Sequence, residues 1–149
     1  MALSIGKSAP SFSLASTNGS PLSSSVDLKG KSFILYFYPK DFTPGCTAEA
    51  CEFRDQFEAF RELHIPVLGV SRDSIESHLK FKKAHKLPFE LLSDPDGKVC
   101  KAYDALIPLI KMPKRVTYLI DESGKIAGVF SEMFESKGHI NSMLAKLKK

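Results

Sequence analysis

The chain has 149 residues, 43% of them hydrophobic. That size fits one globular domain over 1–149 with a real core, and the sequence offers neither a signal-peptide core near its start nor the roughly 20 apolar residues that span a bilayer. The net charge of +4 comes from 17 lysines and four arginines with no basic stripe interleaved with aromatics, which reads as a solvated surface without nucleic-acid binding and leaves a cytoplasmic protein as the expectation. Three cysteines are too few, and odd in number, for a secreted disulfide scaffold, so in a reducing compartment at least two of them point to redox or metal chemistry.

Taken in chain order, the turn signal Asn18-Gly19 marks an irregular N-terminal hairpin. Residues 32–38 (SFILYFY), bounded by Gly30 and Pro39, read as a strand buried on both faces. Phe53, Phe57, Phe60 and Leu63 then recur at helical spacing, which predicts one amphipathic helix over 44–64. Residues 66–71 (PVLGVS) form a second buried strand. Asp73 or Ser74 caps a helix reaching 85, 89–92 gives a short strand, and 97–103 a short helix. Segments 115–121 and 125–130 alternate around a turn at 121–124 as a hairpin, and a last helix is expected over 136–148. Parallel βα units followed by an antiparallel hairpin and a helix predict an α/β fold of the thioredoxin-like kind, a three-layer sandwich around a central mixed sheet.

The stretch PKDFTPGCTAEAC at 39–51 carries the chemistry, because there a buried strand hands over to a helix. Thr43 is a preferred N-cap residue and Pro44 suits the first helical position. Cys46 then falls in the first turn, where free N–H groups and the helix dipole favour an anion. Only the thiolate is a competent nucleophile, so Cys46 is poised to react. Cys51 lies five positions further on, which on a continuous helix means a rotation of about 140° and a rise of about 7.5 Å. That separation exceeds disulfide reach of about 7 Å between Cα atoms, so a Cys46–Cys51 bond requires the helix start to unwind. Two other readings stand beside this one: both cysteines could be small core residues, or Cys46, Cys51, Cys100 and a histidine could ligate zinc.

At these residues the sequence resembles the peroxiredoxins, and within them the peroxiredoxin Q or bacterioferritin comigratory protein subfamily. Pro39, Thr43 and Cys46 meet the pattern P-x-x-x-T-x-x-C, Cys51 meets the subfamily's second cysteine, and similarity extends through 6–10, 77–81, 87–94 and 115–121. The resemblance implies a peroxiredoxin fold and a thiol peroxidase that needs no bound cofactor and no metal, acts on hydrogen peroxide and organic hydroperoxides, is recycled by thioredoxin or a similar dithiol, and works as a monomer. It further implies that Cys46 is the peroxidatic cysteine, passing through sulfenic acid, and Cys51 the resolving one, the two forming the redox-active disulfide. Thr43 would hydrogen-bond in the site, Pro39 would shield the sulfur, Arg115 would hold developing negative charge with its forked donors, and Glu49 would help hold that arginine.

The stretch 107–113 matches nothing in the family with certainty. Cys100 is expected to be a packed small residue rather than an alternative resolving cysteine. The run 94–97 lacks the later ligands of a calcium loop and reads as a turn with a helix cap. The four histidines form no recognisable ligand set. A thioredoxin-type disulfide oxidoreductase is disfavoured because that chemistry uses C-x-x-C. A redox-gated binding protein, exposing Phe42, Phe53 or Phe57 on unwinding, is the non-enzymatic alternative.

Overall fold

A strand covered on both faces must be apolar at successive positions, and residues 33–37 meet that demand with five buried side chains in a row. The computed structural model describes residues 3–130; the helix expected over 136–148 lies outside them. Its elements are β1 (Ser13–Ser16), β2 (Leu22–Ser23), β3 (Phe33–Phe37), α1 (Pro44–Asp55), α2 (Phe57–Glu62), β4 (Val67–Ser71), α3 (Ile75–His85), β5 (Glu90–Ser93), α4 (Lys98–Ala102), β6 (Val116–Ile120) and β7 (Ile126–Phe130). They build one sheet in the order β2-β1-β5-β4-β3-β6-β7. Strands β3, β4 and β5 run parallel. Antiparallel neighbours flank them: β6 and β7 on one side, β1 and β2 on the other.

The pleat sends alternate side chains to opposite layers. Ile34, Tyr36 and Tyr38 pack with Phe53, Phe60 and Phe81 of the first three helices. Phe33, Leu35 and Phe37 pack on the other face with Phe12, Cys100, Tyr103 and Tyr118. Each such side chain taken fully out of water is worth about 1.5–3 kcal/mol, so the central strand is the anchor for everything that follows it. Tyr36 fits only because β4 carries Gly69 opposite it, where a Cβ would come within 2.7 Å of the ring.

The Asn18-Gly19 turn does join a short hairpin, β1 to β2. The helix expected over 44–64 is instead two helices. Gln56, at φ −98° and ψ 7°, leaves helical geometry, and the Ala59 N–H turns back to its carbonyl. This tight corner keeps Phe53 5.8 Å from Phe60, and Phe53 and Phe57 about equally close to Phe89 at 6.3 and 6.5 Å between ring centroids. His64, expected inside the helix, lies beyond its end in a left-handed conformation at φ 58°.

Candidate active site

β3 delivers the chain to the sheet edge, where Pro39, half-buried, follows Tyr38. Phe42 is left-handed at φ 66°, an unusual state for a bulky side chain, and half its surface is exposed. Thr43 then takes the N-cap position of α1 with extended backbone, but its hydroxyl donates to the Lys40 carbonyl at 2.8 Å and does not cap the helix. Thr43 thus holds the N-cap position that its residue type suggests, without the side-chain hydrogen bond. The first turn contains no acidic residue either, so its positive end remains open to an anion.

Cys46, third in α1 and 1% exposed, occupies that turn. Arg115 immediately precedes β6, whose register with β3 pairs Phe37 with Val116 and so brings the arginine to the same edge. Its Nη2 lies 3.1 Å from Cys46 Sγ and its Nη1 donates to Glu49 Oε1 at 2.9 Å. One planar fork thus spans the sulfur and a carboxylate one helical turn further on, a geometry lysine cannot reproduce. Burial pushes the Glu49 carboxyl up to about 7 even though Arg115 pulls the other way. For Arg115 burial works against the charge, and Glu49 and the Cys46 sulfur more than offset it. Gly45 makes room for the fork, since a Cβ there would sit 3.0 Å from Nη2.

Cys51 belongs to the same unbroken helix, half-buried, with Sγ 3.9 Å from Nδ1 of His85 at the end of α3. Both cysteines are free thiols, and the helical geometry between them keeps their sulfurs apart. Cys100 packs in the opposite layer of the sheet, so Cys46, Cys51 and Cys100 are not brought to one zinc site. The sheet likewise stands between Cys46 and Cys100 as disulfide partners. The 94–97 turn forms as expected: Asp94 accepts from the Val99 and Cys100 N–H groups and caps α4.

A buried network beside the site was not anticipated. Asp41 accepts from the hydroxyls of Tyr38 at 2.6 Å and Ser77 at 2.8 Å, and its Oδ2 lies 2.7 Å from His78 Nδ1. The other ring nitrogen of His78 faces the Leu92 carbonyl at 2.9 Å. Both ring nitrogens of His78 therefore face acceptor oxygens, one on each side of the ring. Asp73 completes the group by accepting from the Asp41 N–H and from Ser71. Asp41, Asp73 and His78 could together approach a metal, but each is engaged in these bonds. The available sequence signal was His78 three positions before Phe81, on the buried stripe of a capped helix, with Asp41 inside the motif.

A mixed thioredoxin-like sheet that presents a cysteine at the helix start after its central strand, under an arginine just ahead of the neighbouring antiparallel strand, is the arrangement of a cysteine-based redox protein. Residues 5–129 match the AhpC/TSA family. The chain is 43% identical to peroxiredoxin Bcp of Bacillus subtilis, over 99% of this chain and 97% of the relative. It superposes on the crystal structure of peroxidoxin BcpB from Mycobacterium tuberculosis with a TM-score of 0.89 and 35% identity, covering 97% and 96% of the two chains. A structure of the bacterioferritin comigratory protein of Xanthomonas campestris, solved to study its alkyl peroxide reduction, matches at a TM-score of 0.83 and 31% identity over 92% and 90%. The chain belongs to the AhpC/TSA family, in its Bcp and peroxiredoxin Q branch, and is a thiol peroxidase.

Proposed function

We propose that Cys46 is the peroxidatic residue and Cys51 the resolving one, in a cycle that reduces hydrogen peroxide and organic hydroperoxides. The Cys46 thiolate attacks one peroxide oxygen. An S–O bond forms as the O–O bond breaks, and the other oxygen leaves with a proton as water or alcohol. The Arg115 fork stabilises the thiolate beforehand and the negative charge on the peroxide oxygens during transfer. Thr43 gives its own hydrogen to Lys40 and so offers the peroxide O–H only acceptor lone pairs. Glu49 orients the arginine, and Pro39 limits access of water. In the second stage the first turns of α1 unwind, the Cys51 sulfur attacks Cys46, and the sulfenic oxygen leaves as water.

The observation that carries this reading is the 3.1 Å contact between Arg115 Nη2 and the Cys46 sulfur. A dithiol such as thioredoxin returns the disulfide to two thiols. A cytoplasmic location belongs to the same reading, and among the described residues no helix is long and apolar enough to cross a membrane. The enzyme is proposed to work as a monomer. One equivalent of hydrogen peroxide should convert the protein to a Cys46–Cys51 disulfide, read by peptide mass spectrometry. Cys51→Ser should consume that equivalent and then accumulate sulfenic acid or over-oxidise. A Cys46–Cys100 linkage would overturn the resolving assignment.

A further inference from the structure

His85 stands where three residues in and just before α1 meet α3. The Cys51 thiol, from the second turn of α1, lies 3.9 Å from its Nδ1. The ring of Phe42, the residue that leads into α1, packs at 6.3 Å from the imidazole and edge-on at 5.1 Å against Phe81, which itself meets His85 at 5.2 Å. Arg54, from the third turn, donates to the His85 carbonyl at 2.8 Å. Two of these contacts involve the side chain and bracket Cys46 on both sides. Unwinding 42–51 must break both, whereas the Arg54 contact reaches backbone in the part of α1 that can stay helical. Phe42 is also left-handed, a state that persists only where neighbours hold it.

We propose that His85 is a positioning residue for resolution: its imidazole ties Cys51 and Phe42 to α3, and releasing them sets how readily α1 unwinds to form the disulfide. This inference rests on the reading of Cys51 as the resolving cysteine. His85 does not touch Cys46, whose sulfur faces Arg115 on the other side of the helix. Attack on peroxide and resolution are therefore separately tunable, the first through Arg115 and the second through His85. A looser tie shortens the life of the sulfenic acid and so protects it from a second peroxide.

The test follows oxidation of the full chain by rapid quench and intact mass, since there is no tryptophan to report it. Sulfenic acid and disulfide differ in mass and give the two rates independently. His85→Ala should leave the rate of sulfenic acid formation unchanged and speed disulfide formation about threefold to tenfold, the effect of losing one modest hydrogen bond together with a ring contact. It should also raise the peroxide dose needed to over-oxidise Cys46. His85→Phe keeps the aromatic contacts, removes the nitrogen and should fall between alanine and the parent. His85→Asn, with an acceptor near the Nδ1 position, should move back toward the parent rate. Should alanine fold poorly, faster amide hydrogen exchange at 46–51 in the reduced His85→Phe protein carries the same expectation. Disulfide formation at an unchanged or slower rate in His85→Ala and His85→Phe overturns the inference and leaves Cys51 as the resolving residue. Absence of a Cys46–Cys51 disulfide in the parent overturns both.

Discussion

Cys46 and Cys100 hold the same position in their helices and are equally buried, yet their surroundings differ. Each is the third residue of a helix that follows a strand of the same sheet, and each is at most 1% exposed. What differs is the occupant of the helix start. At α4 the Asp94 carboxylate takes the Val99 and Cys100 N–H groups at 3.3 and 2.8 Å. Burial, with that carboxylate beside it, pushes the Cys100 thiol far above its ordinary range. At α1 no side chain caps the helix and a guanidinium reaches the sulfur. The proposed nucleophile is thus the cysteine whose helix start no side chain has claimed and which a cation completes.

The largest contrast to test is between the two cysteines. Cys46→Ser should abolish peroxide consumption with a dithiol reductant, while Cys100→Ala should retain the parent turnover; equal activity in Cys46→Ser and parent would end the comparison. Arg115→Ala should lower the rate of sulfenic acid formation by about 10²- to 10³-fold, the usual loss for one donor aimed at developing charge. The third test concerns Glu49. Its carboxyl titrates at about 7 in the fold against an ordinary 4.5, so the folded state holds the proton more tightly than the unfolded chain. The stability it contributes is complete below pH 4.5 and lost as pH rises through 7, about 3 kcal/mol in all. Urea unfolding at pH 5 and pH 8 should show this fall in the parent and not in Glu49→Gln, and an identical pH profile in both would refute it. The smallest effect concerns Asp94. In a Cys46→Ser/Cys51→Ser background, Asp94→Asn should bring the Cys100 thiol down toward its ordinary range in an alkaline titration of thiolate absorbance, and no movement would mean that burial alone holds it up.

Two strands of the parallel core were legible because β3 and β4 are buried on both faces, which favours apolar runs between turn residues. The pairing of β1 with β5 was not, because Ala15↔Ser93 and Ser16↔Leu92 join short segments far apart in sequence through backbone bonds that no side-chain pattern encodes. The break at Gln56 escaped detection for a related reason: the stripe of Phe53, Phe57 and Phe60 is helical on either side of it, and only contact with Phe89 selects the corner. Within the site, the motif residues and Arg115 were legible through their resemblance to a family. The Asp41–His78 pair and the position of His85 depend on α3 crossing behind the motif, which is tertiary information. Thr43 illustrates the limit at one residue, since its type placed it correctly at the N-cap while its environment turns the hydroxyl to Lys40.

Gly45 has a second consequence beyond admitting Arg115. Glycine surrenders more backbone freedom on entering a helix than any other residue, about 1 kcal/mol relative to alanine. Placed between Pro44 and Cys46, it makes the first turn entropically the easiest part of α1 to dissolve. In the proposed cycle the same missing methyl group serves two conformations in succession: it lets the cation close on the sulfur while the turn is wound, and it returns disorder to the chain when the turn is released.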